Sequence, residues 1–244
     1  TIRERPFRSP HHTASRASII GGGSRIQPGE ISLAHRGVLF LDELLEYPRN
    51  ILESLRQPLE DHEITVSRAN GKFNFPANFL LVATMNPCPC GFLGDSDKTC
   101  ICSQNQILNY QKKLSGPLLD RIDLTVSVSR VPHEKLISNS SLIKSQHSLF
   151  LSEISQARAI QKIRYRCSYK YNNDLSSSDV DKITSISATT KAFLINAAKK
   201  LDLSTRSYFK VIKVARTIAD LENSTSIEIS HIAESLQYRQ ININ

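Results

Sequence analysis

The sequence predicts an α/β region built on a parallel β-sheet, followed by a bundle of α-helices. Short apolar runs at 37–41 and 79–85 each end in polar side chains, and a segment with helical spacing separates them. Apolar runs of this length are typical of strands that are buried on both faces of a parallel sheet. Several segments with helical periodicity follow. We therefore predict an α/β domain over 1–130 and a helical domain over 131–244.

The remaining elements follow from local patterns along the chain. Residues 50–59 have helical spacing with Pro58 near the end, and 124–128 alternates as a third strand does. Residues 132–148 are predicted as a linker and 169–178 as a polar loop. Further helices are predicted at 149–166, 190–201, 205–221 and 229–239.

Composition narrows the class of protein. The 244 residues are 40% hydrophobic and 22% charged, which is typical of a globular protein. No apolar run reaches the roughly 18 residues that a membrane span needs, and no signal sequence is visible. We expect a cytoplasmic protein without a membrane partner. The net charge of +8 favours nucleic acid or nucleotide as a partner, although a merely soluble basic surface has the same charge.

Carboxylates follow the first predicted strand and an amide follows the second. Asp42 and Glu43 come directly after the run at 37–41, and Asn86 comes directly after the run at 79–85. Ligands bind at the carboxyl ends of the strands in open α/β sheets. There one carboxylate can hold Mg²⁺, the second can activate a water, and the amide can orient one. The alternative is that both strands simply end in solvated turns, as Asn86 before Pro87 would allow.

Two arginines lie where they could reach a phosphate group. Arg121 stands between acidic residues just before the predicted third strand, and Arg206 begins a helix. An arginine can stabilise the charge of a phosphoryl transition state. The alternatives are a local Asp–Arg surface pair for Arg121 and a solvated helix charge for Arg206. For Arg216, farther along the same helix, the solvated charge is the favoured interpretation.

A β-hairpin is predicted between the two strands. Asn70 and Gly71 supply the positive φ angles of a type I′ turn, with Arg68 and Lys72 beside it. These two cations could contact a DNA backbone. They could equally keep an exposed sheet edge soluble.

Four of the five cysteines form a cluster in the sequence. Cys88 and Cys90 make one C-x-C pair, and Cys100 and Cys102 make another. Four thiolates within so short a segment could bind a structural Zn²⁺ in tetrahedral geometry. The common zinc spacing is C-x₂-C, so four reduced cysteines in a loop remain the alternative.

The order of these features resembles an AAA+ ATPase from its Walker B motif onward. Several stretches are similar to the magnesium-chelatase-like ATPases known as ComM or YifB: RPFRSPHH (5–12), PGEISLAHRG (28–37), RQPLE (56–60), MNPCPCG (85–91) and VARTIADL (214–221). The resemblance covers essentially the whole chain and implies ATP and Mg²⁺ as cofactors.

The resemblance also implies a role for each candidate residue. Asp42 would coordinate Mg²⁺ and Glu43 would be the catalytic base. Asn86 would be the sensor 1 residue, Arg121 an arginine finger for a neighbouring subunit, and Arg206 the sensor 2 arginine.

Two further segments match pore-facing parts of related ring ATPases. Residues 21–34 resemble a helix-2 insert, and the hairpin resembles a presensor-1 hairpin that would place Arg68 and Lys72 on DNA. The group is implied to form hexameric rings that drive branch migration of single-stranded or branched DNA during natural transformation and recombination.

The sequence departs from the family in one respect. No G-x-x-x-x-G-K-[ST] loop occurs in it, so we expect a partial AAA+ sheet that does not hydrolyse ATP by itself. The strands at 79–86 and 124–128 would lose a shared neighbour, so we expect an unstable chain or direct pairing of the two. The alternatives to a DNA motor are a magnesium chelatase ATPase subunit, which inserts Mg²⁺ into protoporphyrin, and a non-enzymatic remnant or scaffold.

Overall fold

The computed structural model describes six stretches of the chain: residues 4–23, 25–68, 71–95, 97–128, 140–183 and 186–239. These stretches form two compact units that divide between Arg121 and Ile122. The boundary predicted from the sequence lies later, between 130 and 131, because residues 124–128 were predicted to belong to the sheet. No described helix has the length and apolar character needed to cross a bilayer.

The strands of the described residues all lie in the first unit: β1 (Phe7–Arg8), β2 (Gly21–Gly22), β3 (Gln27–Pro28), β4 (Val38–Leu41), β5 (Glu63–Arg68), β6 (Gly71–Pro76) and β7 (Leu80–Ala83). Three of them form the predicted parallel sheet, in the order β1-β4-β7. Gly37 allows β1 to approach β4, because a Cβ there would lie 1.9 Å from the Pro6 carbonyl oxygen. The fold class predicted from the apolar runs is confirmed.

The two predicted sheet strands differ in burial. In β4, Leu39 and Leu41 are fully buried, as expected for a central strand. In β7, Leu80 is 62% exposed and Val82 is 40% exposed, although the sequence predicted burial on both faces. The apolar run predicted the strand correctly but did not predict how much of it is covered.

The prediction of a third strand at 124–128 is wrong. Among the described residues this segment joins no sheet and belongs to the second unit. The Thr125 N–H donates to the Tyr238 carbonyl oxygen at 2.8 Å, and Val128 is 88% exposed. Of the two expected consequences, direct pairing of this segment with the strand before Asn86 is therefore wrong, and instability of the chain stays a prediction. Alternation of apolar and polar residues predicts a strand only where a partner strand is available.

The helices of the first unit are short: α1 (Arg16–Ile20), α2 (Glu30–Leu33), α3 (Arg49–Ser54), α4 (Pro58–Asp61), α5 (Gln104–Gln111) and α6 (Gly116–Leu119). The single helix predicted at 50–59 is thus two helices, and Pro58 begins the second rather than ending the first. Proline suits the first helical position because it lacks an N–H and has a preset φ. Ile51, Leu52 and Leu55 pack into the core of this unit.

The predicted hairpin exists, but its register differs from the prediction. Strands β5 and β6 pair antiparallel with Arg68 opposite Gly71. Gly71, with φ +134°, is therefore the first residue of β6 and not the second residue of the turn. Ala69 and Asn70 lie outside the described residues, so the predicted turn type stays a prediction.

The second unit contains five α-helices among its described residues: α7 (Ser140–Tyr165), α8 (Ser177–Ile183), α9 (Ala188–Lys200), α10 (Thr205–Leu221) and α11 (Ile229–Gln237). Helix α7 begins at Ser140, so the later part of the predicted linker at 132–148 is helical. Helix α8 begins inside the predicted loop at 169–178. Leu194, Val211, Ile212 and Ile232 form the core between these helices.

Candidate functional site

The two carboxylates lie at the carboxyl end of β4, beside the end of β7. Asp42 accepts hydrogen bonds from the Thr84 hydroxyl and, at 3.2 Å, from the Glu43 N–H. The Glu43 N–H also lies 3.2 Å from the Thr84 hydroxyl oxygen. Thr84 in turn donates its N–H to Leu41 O at 3.1 Å. One threonine therefore holds the acidic pair against the neighbouring strand, a residue that the sequence analysis did not single out.

Glu43 has an unusual backbone conformation for a residue with a side chain. Its φ is +52°, in the left-handed region, which costs on the order of 1 kcal/mol outside glycine. The chain turns here from β4 into a short 3₁₀ helix at Leu44–Glu46. The turn leaves the Glu43 side chain 52% exposed at the sheet edge.

Two histidines and a tyrosine lie around Glu43. The His12 Nδ1 is 3.6 Å from the Glu43 carboxylate, and the His11 and His12 rings are 4.1 Å apart. The Tyr47 hydroxyl donates to the Pro10 carbonyl oxygen at 2.5 Å, which fixes the segment that carries both histidines. Burial and the charge of Asp42 raise the pKa of Tyr47. Sequence reasoning missed His12; its signal was the His-His pair shortly after β1.

Asn86 follows β7 in the chain and is exposed. Because β4 and β7 are parallel neighbours with Leu41 paired to Ala83, the residues that follow both strands lie at one edge of the sheet. The turn at Gly91 approaches Asn86, since a Cβ on Gly91 would lie 4.0 Å from the Asn86 Oδ1. Among the described residues, no hydrogen bond joins Asn86 to Asp42 or Glu43.

Arg121 forms an ion pair within the first unit. Its guanidinium contacts the Glu60 carboxylate and donates to the Pro117 carbonyl oxygen at 2.6 Å. The side chain is 11% exposed and lines a cleft of roughly 500 Å³ with Arg16, Glu53 and other polar residues. The Glu60 contact differs from the local Asp–Arg pair that the sequence offered as an alternative.

Arg206 lies in the first turn of α10, in the second unit, and is exposed. Nearby, Lys210 forms a 2.6 Å ion pair with Asp123. Burial lowers the pKa of Lys210 despite the opposing effect of Asp123, and the charges of Arg239 and Arg206 lower it further. The positive charges of Arg206, Lys210 and Arg239 therefore lie close together near the start of α10.

The expectation that Arg216 is a solvated charge is wrong. Arg216 is 1% exposed and donates to the fully buried Asp220 at 3.0 Å. Arg164 donates to the same carboxylate at 2.8 Å, and Asn172 donates to it at 2.9 Å. Asp220 one turn after Arg216 was the available signal, because residues four apart meet on one helix face.

The described part of the hairpin presents one of its two predicted cations. Lys72 is exposed and pairs with Ser67 across the strands. The side chain of Arg68 lies outside the described residues. The DNA contact predicted for these residues stays a prediction.

The four clustered cysteines converge in space. The Cys88 sulfur lies 3.4 Å from that of Cys90 and 3.7 Å from that of Cys100, and Cys90 and Cys100 are 3.5 Å apart. All four sulfurs, including that of Cys102, lie within 4.8 Å of one another. The fifth cysteine, Cys167, is exposed and lies elsewhere in the chain.

The thiols differ in how readily they ionise. The Phe92 N–H, helped by the Ile101 N–H, lowers the pKa of Cys90 to about 6 against the effect of burial. For Cys100, a backbone bond from Cys102 lowers the pKa, but burial and the neighbouring thiols outweigh it and raise the pKa to about 12. The Cys90 thiol therefore loses its proton readily, whereas the Cys100 thiol does not. A bound cation would favour the thiolate form of both.

Comparisons with known proteins agree with this architecture. A family model described as magnesium chelatase, subunit ChlI, matches residues 1–136, and one described as magnesium chelatase, subunit ChlI C-terminal, matches residues 147–239. Competence protein ComM of Haemophilus influenzae is 44% identical over 238 residues, which cover 97% of this chain and 45% of that protein.

Two further relatives show the breadth of the likeness. The YifB protein of Escherichia coli is 39% identical over 98% of this chain and 46% of its own length. An archaeal Lon protease of Methanocaldococcus jannaschii is 27% identical over 80% of this chain and 25% of its own length. The chain thus spans about half the length of the ComM and YifB proteins that it matches. It belongs to the magnesium-chelatase-like family that includes ComM and YifB.

Proposed function

We propose that this chain forms part of an ATP-hydrolysing AAA+ motor that acts on DNA, in which Asp42 binds Mg²⁺ and Glu43 activates the attacking water. The observation that supports this most is the position of the two carboxylates at the carboxyl end of β4. Both residues are hydrogen-bonded to Thr84, which directly follows the adjacent parallel strand β7. That edge is where α/β sheets bind ligands. Mg²⁺ supplies charge neutralisation of the phosphates when bound.

Each residue at this edge of the sheet would have a separate role in ATP hydrolysis. The Thr84 hydroxyl orients the Asp42 carboxylate toward one rotamer, so that the carboxylate is preset to receive a metal. Glu43 is more than half exposed, so water can reach its oxygens. His12 at 3.6 Å can influence the orientation of Glu43. Asn86 follows the neighbouring strand and would orient the attacking water or a phosphate oxygen.

Arginines from outside the edge would complete the site in a ring of subunits. Arg121 would act on the nucleotide of a neighbouring subunit, and Arg206 would contact phosphates from the helical unit. Such charges stabilise the transition state of phosphoryl transfer. A hexameric ring, as the family resemblance implies, would supply the neighbouring subunit.

The DNA contact is assigned to the hairpin. Lys72 is exposed beside its tip, Arg68 precedes the tip in the chain, and the whole chain carries a net charge of +8. Cations that contact phosphates bind DNA without sequence preference and in a salt-dependent way. Single-stranded or branched DNA in a cytoplasmic recombination process is the substrate that the resemblance implies.

The test joins this chain to the rest of the Haemophilus influenzae relative, in place of the region that it matches, and measures Mg²⁺-dependent ATP hydrolysis. Glu43→Gln should lower the rate about 100-fold, because a general base contributes on the order of 10² to 10⁴. Glu46→Gln is the matched control, since Glu46 is an exposed carboxylate on the same turn. Turnover that survives Glu43→Gln would contradict the proposal.

DNA binding is tested separately, by fluorescence anisotropy with labelled single-stranded DNA at several salt concentrations. Lys72→Ala should weaken binding and reduce the slope of log K against log salt by about 1. Lys191→Ala, which removes an exposed lysine from α9, should leave both unchanged. Equal effects of the two variants would show that the hairpin has no special role.

A second candidate function follows from the description of the matching family models, which is magnesium chelatase, subunit ChlI. Insertion of Mg²⁺ into protoporphyrin changes its absorbance and is measured directly with the same chimera. ATP-dependent insertion without DNA binding would favour this function. Absence of both activities in a folded chimera would favour a non-enzymatic scaffold.

We also propose that the four clustered cysteines bind a structural Zn²⁺. Their sulfurs are already gathered within 4.8 Å of one another, as a tetrahedral tetrathiolate site requires. Zn²⁺ would complete the cofactor set of ATP and Mg²⁺.

A further inference from the structure

The cysteine cluster lies next to the candidate nucleotide site along the chain. β7 ends at Ala83, Asn86 follows, and Cys88 comes two residues later. Proline occupies both 87 and 89, and its ring fixes φ near −65°. Few rotatable backbone angles therefore separate the Asn86 side chain from the first thiol. A group that anchors Cys88 also restricts Asn86.

The first cysteine turn also approaches Asn86 through space. Gly91, with φ +81°, closes the turn by donating its N–H to the Cys88 carbonyl oxygen at 3.0 Å. A Cβ at position 91 would lie 4.0 Å from the Asn86 Oδ1. The backbone of the turn therefore forms one wall beside the amide.

The second cysteine pair connects the cluster to a helix in the core. Cys102 directly precedes Ser103, which caps α5 in a capping box with Gln106. Tyr110 of α5 is 7% exposed within the core of the first unit. From the same helix, the Gln111 amide donates to the Pro87 carbonyl oxygen at 2.9 Å. The cluster thus bridges the end of β7 and a helix that is packed in place.

The segment between β7 and α5 has no regular helix or strand among its described residues, 84–95 and 97–103. Connections longer than about 12–15 residues without secondary structure are uncommon in compact domains unless they have a function or a constraint. The described hydrogen bonds within this segment include local turns, such as those in which the N–H groups of Asp97 and Lys98 donate to the Asp95 carboxylate. A crosslink through the four thiols would supply the missing constraint.

We infer that one Zn²⁺ bound by Cys88, Cys90, Cys100 and Cys102 positions Asn86 by fastening the end of β7 to α5. This inference deepens the proposed function, because it makes metal loading a condition for the geometry of the nucleotide site. Metal binding to such a cluster releases thiol protons and contributes its binding free energy to local folding. In this inference the cluster positions Asn86, and the cysteines are given no contact with the nucleotide.

The first experiment measures zinc in the purified chain after dialysis against a weak chelator. We expect about one Zn²⁺ per chain. The double variant Cys90→Ser/Cys100→Ser removes one ligand from each pair and should bind almost none. Cys167→Ser is the matched control and should keep the full amount, because Cys167 lies outside the cluster. A ratio near zero for the unaltered chain would overturn the site.

The second experiment compares hydrogen exchange of the loaded and metal-stripped chain, so that no variant has to fold. Stripping should speed exchange at 80–91 and at the start of α5 by about tenfold or more, because these segments lose their constraint. The hairpin strands β5 and β6 and the helices of the second unit should not change. Bound zinc with unchanged exchange at 80–91 would overturn the positioning role.

A conservative variant sharpens the result. Cys102→His keeps a zinc ligand and should retain both the metal and the slow exchange, whereas Cys102→Ala should lose both. Neither experiment depends on ATP hydrolysis. Failure of the zinc inference is therefore separable from failure of the motor proposal, which the Glu43 variants test.

Discussion

Two aspartates in this protein show opposite uses of a carboxylate. Asp220, in the second unit, is fully buried and accepts hydrogen bonds from Arg164, Arg216 and Asn172. Asp42, in the first unit, is exposed at a sheet edge and accepts from Thr84 and a backbone N–H. The buried carboxylate has its acceptor sites filled by protein donors. The exposed one remains accessible to a metal or water.

Structural and functional charges can be distinguished by which group compensates them. Arg164 and Arg216 both pair with Asp220, and the pKa of Arg164 is raised chiefly by its hydrogen bond to that carboxylate. Burial lowers the pKa of Arg216, with Asp220 opposing the effect. A charge that is desolvated must be compensated by the protein. A charge at an open edge can instead be compensated by a ligand.

The largest expected effect is on the buried network. Asp220→Ala should lower the free energy of unfolding of the second unit by about 3–5 kcal/mol, because the buried guanidinium group of Arg216 and the half-buried one of Arg164 lose their partner. Urea unfolding followed by circular dichroism measures it. Glu153→Ala, at an exposed carboxylate on α7, should change stability by less than about 0.5 kcal/mol. A small effect of Asp220→Ala would mean that solvent reaches the network.

The next effect concerns the exposed pair. Asp42→Asn in the chimera should reduce Mg²⁺-dependent ATP hydrolysis by about 100-fold, which corresponds to roughly 2.7 kcal/mol of barrier. Its unfolding free energy should change little, since the side chain is exposed. The two substitutions would then have different effects: that of Asp220 on the free energy of unfolding, and that of Asp42 on the rate of hydrolysis. A loss of stability as large as that of Asp220→Ala would remove the distinction.

A smaller effect is expected for the threonine that links the strands. Thr84→Val keeps the shape but removes the hydroxyl bonded to Asp42 and near the Glu43 N–H. One hydrogen bond contributes about 1 kcal/mol, so the Mg²⁺ concentration for half-maximal hydrolysis should rise about fivefold. Thr205→Val, at an exposed threonine of α10, is the control. No shift for Thr84→Val would show that Asp42 is held by its own backbone.

The smallest effect is a pH dependence of the first unit. Burial, assisted by the charge of Arg36, lowers the pKa of His35 below its ordinary value of 6.5. The unfolded chain therefore binds more protons between that lowered pKa and 6.5, so stability is complete above pH 6.5 and falls as the pH drops through this window. His35 also accepts the Asn78 N–H at 3.1 Å, which protonation would break.

The measurement compares urea midpoints between pH 7.5 and 5. His35→Gln should flatten the decline, because the titrating ring is absent. His147→Gln, at an exposed histidine of α7, should leave the decline unchanged. An identical decline in all three chains would assign the pH dependence to other groups.

Much of the local structure was predictable from the sequence. The apolar run before Asp42 predicted β4, and the helical spacing of 205–221 predicted α10 with its observed ends. Local periodicity is a strong signal because a buried strand or an amphipathic helix repeats its apolar positions at a fixed interval. The carboxylates and Asn86 follow parallel neighbours, so their common sheet edge was also predictable.

Other features depended on neighbours that are distant in sequence. The segment at 124–128 alternates like a strand, yet its Thr125 N–H bonds to Tyr238. Arg216 looked like a surface charge, and only tertiary packing buries it beside Asp220 and Arg164. Thr84 carried no signal in the sequence, because a lone threonine after a strand is common. For His12 the adjacent His11 was a signal, but its approach to Glu43 depends on the tertiary structure.

The sequence by itself determined the elements with strong periodicity, the acidic pair after β4 and the cysteine spacing. Each of these features depends only on residues that are close together in the chain. Tertiary structure alone decided which charges are buried, where the two units divide, and that four sulfurs converge within 4.8 Å. The physical reason is that burial and convergence depend on long-range contacts, whose partners local patterns do not specify.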